Sequence, residues 1–204
     1  MRGLTDTLTA TLREAGERHG DSLVFLCSFQ KEESLIVDEL VKVAPQTRIV
    51  TIDTGVLFPE TLATWKAFED HWGVQIAVEE ARGPWTGPEQ CCGVEKVAAL
   101  ERALAGADAW VTGIRREQSP TRADAQFVER DSKRGMDKYN PLADWTEQDL
   151  WREIMARGVP YHPLHDQGYS SIGCVPCTQP GSGREGRWAG TDKLECGLHI
   201  EQAG

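Results

Sequence analysis

The chain has 204 residues, 40% hydrophobic and 26% charged, which is ordinary globular composition with enough length for one sizeable core. Its net charge of −10 argues against general nucleic-acid binding, and no apolar run reaches the ~20 residues a membrane span needs. The start, MRGLTDTLTATLREAGERHG, has no signal-peptide apolar stretch, so a cytoplasmic protein without membrane contact is expected. A local basic pocket for a small anion remains compatible with that charge.

Leu4, Leu8, Leu12 and Ala15 recur at helical spacing over residues 4–18. SLVFLCSF (22–29) reads as a buried strand, and EESLIVDELVKVA (32–44) as a helix stopped by Pro45. RIVTID (48–53) is a second strand. PETLATWKAFEDHW (59–72) opens with proline and glutamate, a good helix start. VQIAVE (74–79) and DAWVTGI (108–114) read as strands, with a helix near 92–104 between them. QFVERDSKRGMDKYNPL suggests a hairpin turning at Lys133-Arg134-Gly135. TEQDLWREIMARG (146–158) has a threonine N-cap, an acidic first turn and a terminal glycine. From Val159 onward no period survives.

This alternation predicts an α/β fold, a mostly parallel sheet with helices on both faces. An irregular C-terminal segment follows. One domain over 1–204 is expected, a core to about 160 and then a loop and tail. Ligands of such sheets bind beyond the carboxyl ends of the strands. The loops SFQKEES, DTGVLFPET and TGIRREQSPTR should therefore meet at one edge, with Ser28 and Gly55 as candidate contacts in the first two.

Six cysteines stand at 27, 91, 92, 174, 177 and 196. In a reducing compartment such spacing points to metal or redox chemistry. Cys91-Cys92 and Cys174/Cys177 make two thiol pairs, suited to tetrahedral zinc or an iron–sulfur cluster. Adjacent cysteines diverge by ~100° if helical, which favours the spread ligand sites of a [4Fe–4S] cubane. Two buried structural pairs without metal are the plain alternative. Cys27 sits inside an apolar run and reads as core filler. Cys196 lies in polar, glycine-flanked LECGLH, where an exposed thiol near cations would be reactive.

Seven stretches in order carry a resemblance: DTGVLFPET (53–61), CCGVEKV (91–97), TGIRREQSPTRA (112–123), KYNPLADWT (138–146), GCVPCT (173–178), REGRW (184–188) and ECGLH (195–199). Together they resemble the thioredoxin-dependent adenylyl-sulfate and phosphoadenylyl-sulfate reductases. The match covers nearly the whole chain from Ser28. The resemblance implies an adenine-nucleotide alpha-hydrolase-like fold. With both cysteine pairs present it also implies the [4Fe–4S] branch and adenosine 5′-phosphosulfate as substrate. The 3′-phosphorylated substrate, or a zinc-stabilised nucleotide-binding module without turnover, are the rivals. An ATP pyrophosphatase is disfavoured, because SFQKEES lacks the glycine-rich and Asp-Ser features of a pyrophosphate loop. SFQKEES also departs from the more common Ser-Phe-Gly-Ala-Glu-Asp, and AGTDKL follows Trp188 where relatives often carry further tryptophans.

The resemblance makes Cys196 the nucleophile and Cys91, Cys92, Cys174 and Cys177 the cluster ligands. Arg184 and Arg187, three apart, offer guanidinium forks for sulfate and phosphate oxygens. Lys96 is implied between cluster and phosphosulfate, and His199 near the leaving oxygens. Arg115 and Arg116 follow the fourth strand, where phosphates belong. For each of these cations an ion pair is the plain alternative. With four cysteines on the cluster and Cys27 buried, the resolving thiol must come from thioredoxin or glutaredoxin. A homo-oligomer is compatible with all of this.

Overall fold

The computed structural model describes residues 2–85 and 93–191. Cys91, Cys92, Cys196 and His199 lie outside that range. The first helix, α1 (Arg2–His19), buries Leu8, Leu12 and Ala15 completely, so the helical spacing of these residues is the stripe that faces the core. Then β1 (Leu23–Leu26), α2 (Lys31–Val43), β2 (Arg48–Asp53), α3 (Pro59–Trp72), β3 (Ala77–Glu80), α4 (Val94–Ala103) and β4 (Ala109–Val111) alternate. A hairpin of β5 (Val128–Asp131) and β6 (Met136–Tyr139) follows, and then α5 (Glu147–Arg157).

The strands form one sheet in the order β3-β2-β1-β4-β6-β5. All neighbours are parallel except β5 against β6. Period-two alternation sends successive residues to opposite faces. Leu23, Phe25, Ile49, Ala109 and Val111 pack under α1, α2, α3 and α5. Val24, Val50, Ile52 and Trp110 pack on the other face with Ala99, Leu100 and Ala103 of α4. That second layer also holds Cys174, Cys177 and Trp188 from the C-terminal segment.

The helix expected over 146–158 forms as α5. Thr146 accepts a hydrogen bond from the Asp149 amide at 3.1 Å, and Gly158 closes the helix at φ +62. Three strands are shorter than their apolar runs. The run 22–29 is strand only to Leu26, because Phe29 turns left-handed at φ +62 and wedges its ring between Trp65 and Phe68. The run 108–114 leaves the sheet after Val111, where Asn140 takes up the Thr112 hydroxyl at 2.6 Å. β3 begins at Ala77, in register with Val50 of β2, rather than at Val74.

The C-terminal segment is stitched to the start of α2. The Lys31 ammonium donates to the Ser170 carbonyl at 2.6 Å, and Gln30 accepts from the Ile172 amide at 2.9 Å. His162 is fully buried against the Thr61 hydroxyl at 2.8 Å. Burial, with His165 beside it, lowers its pKa to about 4, so it is a neutral anchor. Among the described residues no helix is long and apolar enough to cross a membrane.

Candidate active site

β1 has β2 on one side and β4 on the other, so the chain order reverses between β1 and β4. A crevice opens there beyond the strand ends. It forms a cavity of about 390 Å³, within the range of small-molecule sites. Its walls come from the ends of β1 and β4 (Cys27, Ser28, Thr112, Gly113), the start of α2, Lys96 of α4 and residues 170–187.

One side is a matched charge network. Arg115 is 3% exposed, and all its guanidinium nitrogens are engaged. Nε donates to Glu32 at 2.9 Å, Nη2 to Glu147 at 2.9 Å, and Nη1 to Glu117 and the Trp145 carbonyl, both at 3.0 Å. Buried Lys31 lies 3.2 Å from Glu147. Burial alone would raise the Glu32 pKa, but the Lys31 and Arg115 charges outweigh it and hold it at about 2. Arg115 therefore lines the cavity as an expected ligand contact, yet its donors serve three carboxylates. Arg116 is not in the cavity wall. It pairs with Asp144 and donates to the Ala125 carbonyl.

Glu33, next along α2, behaves in the opposite way. Burial, then the charge of Glu32, pushes its pKa up to about 8. One carboxyl oxygen accepts from Ser28 Oγ at 3.2 Å, and the other has no hydrogen-bond partner among the described residues. The folded chain thus holds a proton at neutral pH that the unfolded chain, with the ordinary value of 4.5, has released. Stability from this proton is complete below pH 4.5 and is lost as pH rises toward 8. Wild type should melt several degrees lower at pH 9 than at pH 6, and Glu33→Gln should flatten that difference. Equal pH dependence in both proteins would place the proton elsewhere.

The cavity wall also carries Lys96, Arg184, Arg187 and Cys174. Both arginines lie against the Trp188 ring, with Cζ at 5.2 Å for Arg184 and 4.6 Å for Arg187. Cys174 caps a short 3-10 turn that Cys177 ends, and both of these cysteines are buried. The loop after β2 holds that turn. Thr54 Oγ1 is 3.2 Å from Cys174 Sγ, and the Val175 amide donates to the Val56 carbonyl at 2.9 Å. Gly55 lies outside the wall, in a turn tied to the Asp53 carboxylate at 2.7 Å. Ser28 does line the cavity. Sequence reasoning missed Lys31 and Glu33, which line the cavity, and Thr54, which reaches Cys174. Lys31 and Glu33 lay in the quoted SFQKEES loop, and the departure of that loop from the common form was the available signal.

Cys27 is fully buried in the wall, and burial, followed by the Glu33 charge, raises its thiol pKa well above the ordinary value. A buried thiol held protonated is a poor nucleophile.

The family model for the phosphoadenosine phosphosulfate reductase domain matches residues 22–180. The chain belongs to this family. It is 44% identical to the adenosine 5′-phosphosulfate reductase of Bacillus pumilus, over 93% of this chain and 89% of that one. It is 43% identical to the phosphoadenosine 5′-phosphosulfate reductase of Gloeobacter violaceus, over 93% and 87%. Among solved structures, the phosphoadenylyl-sulfate reductase of Candida auris, a phosphate complex, superposes with a TM-score of 0.72 at 24% identity, covering 82% of this chain and 88% of that one. The FMN adenylyltransferase of Candida glabrata shares the fold at a TM-score of 0.67 and 16% identity, this chain spanning 64% of its length. These two likenesses are of fold: one architecture serves a sulfonucleotide reductase and an adenylyltransferase.

Proposed function

We propose that this protein reduces adenosine 5′-phosphosulfate to sulfite and AMP, as part of assimilatory sulfate reduction in a reducing cytoplasm. One arrangement supports the reading most: Lys96, Arg184 and Arg187 share a cavity wall with Cys174 at the strand ends of a nucleotide-binding sheet. Those cations suit an anionic phosphosulfate. On this reading residues 1–204 act as one domain, with the part beyond about 161 carrying Cys174, Cys177 and Cys196.

The Cys196 thiolate attacks the sulfate sulfur. The bond from sulfur to the bridging phosphate oxygen breaks, AMP leaves with the electron pair, and S-sulfocysteine remains. Lys96, Arg184, Arg187 and His199 offset the charge gathering on the oxygens. A thiolate of reduced thioredoxin or glutaredoxin then attacks the Cys196 sulfur and expels sulfite. Its second thiol releases Cys196 and closes the donor's disulfide. Both electrons come from that dithiol.

The residues present fit a [4Fe–4S] cluster. Cys174 and Cys177 are buried in one turn, and Cys92 directly precedes Gly93, the N-cap of α4. Ala99 and Leu100 of α4 pack in the same cluster of residues as Cys174 and Cys177. Cys91, Cys92, Cys174 and Cys177 would hold the group, which supplies local charge and fastens the two segments. Zinc is the second fit for four thiolates.

The name of the Gloeobacter relative, at nearly the same identity as the Bacillus one, keeps the 3′-phosphorylated nucleotide as the second reading. The two cysteine pairs favour the unphosphorylated one. Mixing the holoprotein with each nucleotide and no thiol, followed by intact-mass measurement, decides between them. Adenosine 5′-phosphosulfate should add one SO3 group and release one AMP per site. An adduct with the 3′-phosphorylated nucleotide alone would change the substrate, and no adduct with either would sink the mechanism. Absorbance near ~400 nm is expected of the cluster, whereas a colourless protein with bound zinc would replace it.

A further inference from the structure

Arg187 is held more tightly than a surface cation. It is 7% exposed, and Nη1 donates to Ser171 Oγ at 3.3 Å and to the Ile172 carbonyl at 3.1 Å. Its Nε has no hydrogen-bond partner among the described residues. The Trp188 ring lies on one side of the guanidinium. The backbone of Gly173 lies against it as well. A Cβ at position 173 would fall 2.5 Å from Nη2, 2.6 Å from Cζ and 2.9 Å from Nε. All three nearest atoms belong to Arg187, and none is backbone.

We infer that Gly173 is a positioning residue for the reaction: its missing side chain is the berth in which the Arg187 guanidinium lies, aligned for the phosphosulfate. The ligand in this inference rests on the functional reading above, whereas the berth itself rests on geometry. Non-bonded carbons settle at ~3.5–4.0 Å, so a methyl group at 173 drives the guanidinium back by roughly 1 Å. That retreat carries Nη1 away from Ser171 Oγ and the Ile172 carbonyl, so the bonds to them break. A lysine at 187 has no planar fork to collide, because its ammonium sits on a narrow flexible stem.

The berth also explains why GCVPCT and REGRW work together. The Trp188 amide donates to the Cys177 carbonyl at 2.9 Å, and Thr178 bridges to Arg187. The cysteine turn, the arginine and the glycine thus form one clasp. The alignment of Arg187 is set by the segment that carries Cys174 and Cys177.

The test compares wild type, Gly173→Ala, Arg187→Lys and the double variant as holoproteins. Affinity for adenosine 5′-phosphosulfate, melting temperature and visible absorbance per chain are measured for each. Gly173→Ala should weaken nucleotide binding about 10- to 100-fold with unchanged absorbance, since ångström misplacement of a binding group has effects of this size. The double variant should bind no worse than Arg187→Lys alone and melt above Gly173→Ala. Should Gly173→Ala fail to fold, recovery of the fold in the double variant supports the berth. Multiplied losses in the double, wild-type affinity in Gly173→Ala, or a double variant that also fails to fold would overturn it. Loss of absorbance in Gly173→Ala that Arg187→Lys does not restore would overturn it too. A wrong functional reading shows differently: wild type itself would not bind the nucleotide, while the melting comparison would still decide the berth.

Discussion

Replacing Cys196 with serine should lower sulfite release by about a thousandfold or more and leave nucleotide affinity within a few-fold of wild type. A serine hydroxyl is far less ionised than a thiol at neutral pH, so attack on sulfur is already slow. The product would also be wrong. Transfer to serine gives a sulfate ester, which has no sulfur–sulfur bond for a second thiol to exchange. Sulfite could not leave even if the first step occurred.

The environments of the other thiols strengthen this expectation. Cys27, Cys174 and Cys177 are all buried. Cys27 lines the cavity, but burial keeps its thiol protonated. Sulfite production and AMP release by Cys196→Ser, each measured with excess reduced thioredoxin, check the prediction. Turnover near the wild-type rate would transfer the nucleophile to Cys27, and the burial argument would then be wrong.

The sheet was legible because its signals are local. β2 and α3 match the expected 48–53 and 59–72 to the residue, since each run is bounded by its own breaker. The convergence of loops after β1 and β4 followed from topology alone, and the cavity lies there. What the sequence hid was the assignment of charges. Arg115 follows a strand, where a phosphate ligand is reasonable, but Glu32 and Glu147 reach it from 83 and 32 residues away. No local pattern shows such pairing. The overall balance offered a hint: with 32 acidic residues against 22 basic ones, a buried arginine more readily finds carboxylates. The β2 loop shows the same non-local pairing. Gly55 drew notice, whereas Thr54 beside it reaches Cys174 across 120 residues.

Arg115→Leu should therefore remove about 3–5 kcal/mol of stability, because it takes from buried Glu32 the guanidinium paired directly with it. The carboxylate is 4% exposed at its side chain and keeps Lys31 and Gln118 nearby, so some of the loss is recovered. Arg116→Leu supplies the contrast. Its pair with Asp144 has side chains 32% and 44% exposed, and exposed pairs contribute about 0–1 kcal/mol. Urea unfolding at neutral pH of the two variants beside wild type measures both effects. Adding Glu32→Gln to Arg115→Leu should restore part of the stability, since the charge that lost its direct partner is then gone. If Arg115→Leu instead unfolds like wild type and binds nucleotide weakly, the carboxylates are not its main partners. The guanidinium would then belong to the ligand, and the acidic side of the cavity would have to be neutralised by Lys31 alone.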